Sequence, residues 1–145
     1  MKGGGFMKKI SERVVDLRIA TRRACMCENS DNNKKSTLSL KTKVLYLIAH
    51  DCGPKDIQLI LCIAKTNLAL ITSTLVKEGY AVKSRAYDDR RHIRYAVTGK
   101  GRKYLACCLD NIEKSFKEAF PDKESYDDAL KKLEEALDVF SFINY

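Results

Sequence analysis

Tryptophan is absent from the 145-residue sequence, and histidine and proline occur twice each. With only His50 and His92 and no nucleophile beside a base in sequence, the chain reads as a non-enzyme. Glycine is sparse too. Gly99 and Gly101 lack a surrounding G-x-G-x-x-G frame, so no phosphate-cradling loop is expected. Long apolar runs are missing: the longest, residues 44–49 and the Gln-interrupted 57–64, fall well short of the roughly 20 residues that span a bilayer. No membrane partner is expected. The opening MKGGGFMKKI has charge and glycine but no apolar stretch of the secretory kind, which predicts a cytoplasmic setting, with Met7 an alternative start to a short leader. The six cysteines are then read as reduced thiols. Their spacing is poor for zinc, because Cys25 and Cys27 stand one residue apart, Cys107 and Cys108 are adjacent, and the histidines form no H-x3-5-H pair. Neither metal nor other cofactor is expected.

Charge is what the sequence has in quantity, at 32% of residues and a net +8. Residues 83–103 hold eight basic and two acidic side chains, whereas 104–145 hold five and ten. A basic stretch of +6 followed by an acidic tail of −5 is a localised field, and a localised cationic patch favours a polyanionic partner. The length suits one domain with a modest appendage.

Periodicity divides the chain into helices and one β-like segment. Ile10, Val14, Leu17 and Ala24 predict an amphipathic helix over about 7–27, and the polar stretch 28–37 predicts a connector. Leu40, Val44, Leu47 and Ile48 predict a second helix over 39–51, stopped by Gly53, with Pro54 opening a third to about residue 63. Lys65, Thr66 and Asn67 begin a fourth, which carries Leu68, Ile71, Leu75 and Val76 up to Gly79. The period then switches to alternation in 80–85 and 92–97, a hairpin around the polar tip 87–91. Thr98 caps a long fifth helix to about Phe120, Pro121 breaks it, and a sixth covers about 123–142 with Leu130, Leu133, Leu137 and Phe140 on one stripe. The predicted fold is mainly α with a small β-hairpin: a winged helix-turn-helix core over 38–103, a dimerisation helix and polar loop over 1–37, and dimerisation helices over 104–145. The terminal stripes need a surface to bury them, and a second copy in a homodimer supplies it.

The stretch LVKEGYAVKSRAYDDRRHIRYAVTGKGRKYL resembles the wing region of MarR-type transcriptional regulators and their SarA-like branch. The matching positions are Leu75, Gly79, Lys83, Arg85, Asp89, Arg91, Thr98 and Gly101, within a resemblance covering about 38–120. It implies a dimeric regulator of double-stranded DNA, most simply a repressor, with Arg91 in the minor groove braced by Asp89. An Asp two residues before an Arg in a tight tip can pair with it and order the guanidinium, which suits a narrow, negative groove. Lys83, Arg85, Arg90 and Arg94 are then phosphate contacts. Carried over by resemblance, the recognition helix presents Lys65, Thr66, Asn67, Ser73, Thr74 and Lys77, along with Ala69 and Leu70, which cannot hydrogen-bond to bases. These two can meet thymine methyls, or they mark weak base reading.

Other readings accompany this one. A winged-helix protein-interaction or dimerisation module is the alternative function, motivated by Ala69, Leu70, Leu59 and Ile60, although the last two are first read as core. Cys25 and Cys27, near Arg22 and Arg23, are a candidate redox pair, with plain packing as the alternative, while Cys62 and Cys108 are read as core. The resemblance also raises a small aromatic effector. Tyr46, Tyr104 and Phe116 are nonetheless read as core rather than as its pocket.

Overall fold

A computed structural model describes residues 9–25, 27–28, 35–36, 38–85 and 93–143. Its helices are α1 (Ile10–Ala24), α2 (Leu40–Ala49), α3 (Pro54–Leu61), α4 (Lys65–Lys77), α5 (Gly99–Ala119) and α6 (Lys123–Ser141). Two antiparallel pairs interrupt them: β1 (Cys27–Glu28) with β2 (Lys35–Ser36), and β3 (Ala81–Arg85) with β4 (Ile93–Val97). The polar connector thus contains strands. They align Cys27 with Ser36 and Glu28 with Lys35, a pairing too short for any apolar alternation to announce it.

Capping chemistry sets most boundaries. Ser39 accepts from the Thr42 amide at 3.1 Å to open α2, and Pro54 occupies the first turn of α3 as predicted. The stop between α2 and α3 departs from expectation. Asp51, not Gly53, takes the left-handed conformation (φ 60°), while Gly53 at φ −78° precedes α3. A short polar side chain tolerates that region better than most, and so the turn closes two residues early. Cys62 is likewise left-handed (φ 54°) and ends α3 before the predicted residue 63.

Among the described residues the core lies in the middle of the chain. Val44, Leu45 and Ile48 of α2 pack with Ile57 of α3, Leu68 and Leu75 of α4, Ala81 of β3 and Leu105 of α5. These residues close a helix-turn-helix against the base of a hairpin. By contrast, α1 and α6 have no buried residue, and their apolar positions, including Ile10, Val15 and Ile19 of α1 and Leu137 and Val139 of α6, are exposed. Four core assignments from sequence fail: Leu59 is 78% and Ile60 56% exposed, and Cys62 and Tyr46 are exposed too. α3 is only eight residues long and buries a single position, Ile57, so a run of apolar letters there exceeds what its one packed face can cover. Among the described residues no single helix is long and apolar enough to cross a membrane; α3 and α4 together have the composition but meet at 115°.

Candidate nucleic-acid interface

Burying Leu68, Thr72 and Leu75 turns the opposite side of α4 outward. Lys65, Thr66, Asn67, Ala69, Leu70, Ser73, Thr74 and Lys77 are all exposed, as the sequence assignment required. Lys65 to Asn67 form the first turn rather than a cap, because Ala64 holds the capping position without a side-chain bond. Two hydroxyls are committed locally. Thr74 Oγ1 donates to the Leu70 carbonyl at 3.0 Å, and the buried Thr72 Oγ1 donates to the Leu68 carbonyl at 3.0 Å. Lys77 lies at the opposite end of α4 from Lys65, about 18 Å along the axis at 1.5 Å per residue.

The hairpin pairs Lys83 with Tyr95, Ser84 with Arg94 and Arg85 with Ile93. Directly opposed residues share a face, so Lys83 sides with Tyr95, whereas Arg94 belongs to the other face with Ser84. The two cations therefore present to opposite sides of the wing, a separation that a count of basic residues does not reveal. Asp89, Arg90 and Arg91 lie outside the described residues, as does the side chain of Arg85.

Between the hairpin and the helix-turn-helix runs a groove of about 360 Å³, lined by Pro54, Lys55, Gln58, Lys65, Ala69 and Tyr95 among others. Lys55 and Gln58 were not among the sequence-assigned residues, although Lys55, directly after the proline that opens α3, is a cation at a helix entrance that spacing alone could have flagged. Their convergence with Lys65 gives the groove two ammonium groups beside amide and aromatic surface.

The far end of α4 is fastened to its surroundings. Gly79 takes φ 81°, the left-handed turn the sequence predicted, and Lys100 Nζ donates to the Glu78 carbonyl at 2.8 Å. Thr98 accepts from the Gly101 amide at 3.1 Å while donating to the Gly79 carbonyl at 2.6 Å. From α2, Lys41 meets Glu78 at 2.8 Å and sits 5.6 Å from the centre of the Tyr80 ring, which packs on Tyr104 at 4.9 Å. The hydrogen bond to Glu78 holds the Lys41 ammonium above its ordinary value of 10.5. A raised folded-state value stabilises the fold at every pH below the unfolded value, and that contribution disappears as pH climbs through the folded one. Lys41→Met is accordingly expected to cost about 0.5–1 kcal/mol near neutral pH, discounted for partial exposure, with the gap to wild type closing above pH 10.5 in thermal melts.

Two further hollows border α2. One of about 270 Å³ is lined by Thr42, Tyr46, Leu47, Leu61, Leu105 and Cys108, among others. Tyr46, assigned to the core from sequence, is 42% exposed and stands at this hollow with its ring 4.3 Å from that of His50. The other, about 380 Å³, joins α1 to α2 through Arg18, Thr21, Arg22, Cys25, Leu38 and Lys43. Cys25 is half-buried there; Cys27 is placed only as a strand position opposite Ser36. Among the described residues no group of three or more His, Cys, Asp or Glu side chains is arranged to hold a metal.

No protein-family model and no curated protein matches the sequence. Solved structures do. Wild-type MarR from E. coli in its apo form superposes with a TM-score of 0.65 at 14% identity, covering 91% of this chain and 99% of that one. NadR in complex with 4-hydroxyphenylacetate gives 0.64 at 17% identity over 99% of this chain and 100% of its own. A mutant E. coli MarR complexed with operator DNA gives 0.58 at 15% identity, over 88% and 93% respectively. Agreement over nearly the whole of each chain, terminal helices included, goes beyond what a shared helix-turn-helix would produce. The chain has the MarR-type winged-helix fold.

Proposed function

We propose that the protein is a homodimeric regulator of transcription that binds double-stranded DNA, acting as a repressor by occluding a promoter. The observation that carries this is the exposed, acid-free face of α4 beside a groove holding Lys55 and Lys65 and a hairpin bearing Lys83 and Arg94. On this reading α4 enters the major groove, Arg91 enters the minor groove with Asp89 as its brace, and Lys83, Arg85, Arg90 and Arg94 hold phosphates. Residues 38–103 are the DNA-binding core. The uncovered apolar positions of α1 and α6 support a second copy as their partner, with residues 1–37 and 104–145 forming the dimer. Capture of a palindromic motif from a random duplex pool tests both the DNA and the dimer claim. Arg91→Ala is expected to lower affinity for that duplex roughly tenfold, and unchanged affinity would remove the wing assignment.

The hollow between α2 and α5 supports a small aromatic effector, as the NadR complex with 4-hydroxyphenylacetate illustrates for that protein. Its neighbour, with Arg18, Arg22 and Lys43, would favour a ligand carrying a negative charge. A protein-interaction module is the rival function, favoured by the exposure of Leu59 and Ile60. It predicts a protein complex that persists at high salt and ignores competing duplex. Catalysis has no place in either reading, and a redox role would fall to Cys25, which shares a hollow with Arg18 and Arg22, together with Cys27, near Arg22 and Arg23 in sequence.

A further inference from the structure

Leu70 stands 70% exposed in the middle of the outward face of α4. Helical spacing puts Thr66 and Asn67 one turn before it and Ser73 and Thr74 one turn after. With the Thr74 hydroxyl turned back onto the Leu70 carbonyl, the outward donors among these neighbours are Thr66, Asn67 and Ser73. The whole helix has two lysines and no acidic residue. An apolar side chain ringed by hydroxyl and amide donors, on a helix with a lysine at each end, is unsuited to a purely apolar partner, because those donors would be buried without acceptors. It does suit a polyanion whose accessible surface mixes acceptors with an occasional methyl group. The major groove of duplex DNA is such a surface, and its one apolar group is the C5-methyl of thymine.

We propose that Leu70 is a specificity-determining residue that reads thymine through this methyl, so that the preferred duplex carries thymine at the base facing the centre of α4. The assignment rests on the DNA-binding reading above. Leu70 supplies discrimination by apolar contact, while Thr66, Asn67 and Ser73 supply hydrogen bonds on either side. Ala69 is set apart: it lines the groove toward Tyr95 and does not share this role.

The test uses the full-length protein and a duplex selected by it from a random pool, resynthesised with deoxyuridine replacing one thymine at a time. Deoxyuridine removes the methyl and leaves every hydrogen-bonding group in place. At one position in each half-site wild type should lose affinity by on the order of fourfold, the worth of one buried methyl. Leu70→Ala, whose side chain is too short to follow, should bind the thymine and deoxyuridine duplexes equally, and Leu70→Met should restore the preference. Leu70 is too exposed for these variants to lose the fold, which equal melting temperatures would verify. Duplex binding that is indifferent to deoxyuridine, or equally sensitive in wild type and Leu70→Ala, overturns the assignment alone. Failure to select any duplex, together with a protein partner lost on Leu70→Ala, overturns the assignment and the DNA-binding reading together.

Discussion

Gly101→Ala is expected to lower the melting temperature by roughly 5–10 °C, corresponding to about 2–3 kcal/mol of overpacking in a chain of this length. Gly101 is buried in the first turn of α5, where a β-carbon would collide with the backbone carbonyl of Tyr80 and crowd Val97. That carbonyl cannot simply move aside. It accepts from the Thr98 amide at 3.0 Å, and the adjacent Gly79 carbonyl is bonded to the Thr98 hydroxyl, so displacement breaks a joint made of several bonds. Gly99, two residues earlier, provides the control: a β-carbon there meets nothing within 4 Å, and Gly99→Ala should be neutral or slightly stabilising through helix propensity. Thermal or denaturant unfolding of the two variants side by side checks the contrast. Equal stability would mean that the α5 entrance is looser than its geometry indicates.

Duplex affinity should fall about a thousandfold between 50 and 200 mM salt. A log–log slope near −0.9 per neutralised phosphate turns about six contacts in a dimer into a slope of roughly −5, and the fourfold salt change into that loss. Six is a modest demand on the two copies, since each offers Lys55, Lys65, Lys83 and Arg94 among its described residues alone. Charge-removing variants apportion the slope. Lys55→Ala and Arg94→Ala should each flatten it by about one unit per phosphate lost while weakening all duplex sequences alike. Leu70→Ala should leave the slope unchanged, because a methyl contact releases no counterion. A salt-insensitive complex would instead favour the interaction module.

Much of the fold was legible because local chemistry and global packing agree over residues 38–120. Pro54, Gly79, Thr98 and Pro121 punctuate the chain where helices begin and end, and the period changes from helical to alternating at Tyr80. The misplaced residues lie where composition and burial part company. Leu59, Ile60 and Cys62 look like core because they are apolar neighbours of Ile57, yet a two-turn helix has one covered face, and they fall off it. Tyr46 failed for a related reason: α2 already buries Thr42, Val44, Leu45 and Ile48, which leaves no packed side for its ring. In the candidate interface, the face of α4 followed directly from its period. The division of Lys83 from Arg94 did not, because it depends on a register in which Lys83 opposes Tyr95, and strand pairing is a long-range property that no local window contains.

The fastened end of α4 gives that helix the mechanics of a lever. Thr98, Lys100 and Gly101 of the α5 entrance and Lys41 of α2 hold it near Glu78 to Tyr80, while Lys65 lies about 18 Å away at the other end. A stiff pivot multiplies small angles: a tilt of about 5° transmitted from α5 carries Lys65 through roughly 1.5 Å, half the length of a hydrogen bond. Contacts near the pivot, at Lys77, would barely register the same tilt. Sensitivity to movement of α5 is thus graded along the helix, with Thr66, Asn67 and Leu70 feeling far more of it than Thr74 or Lys77.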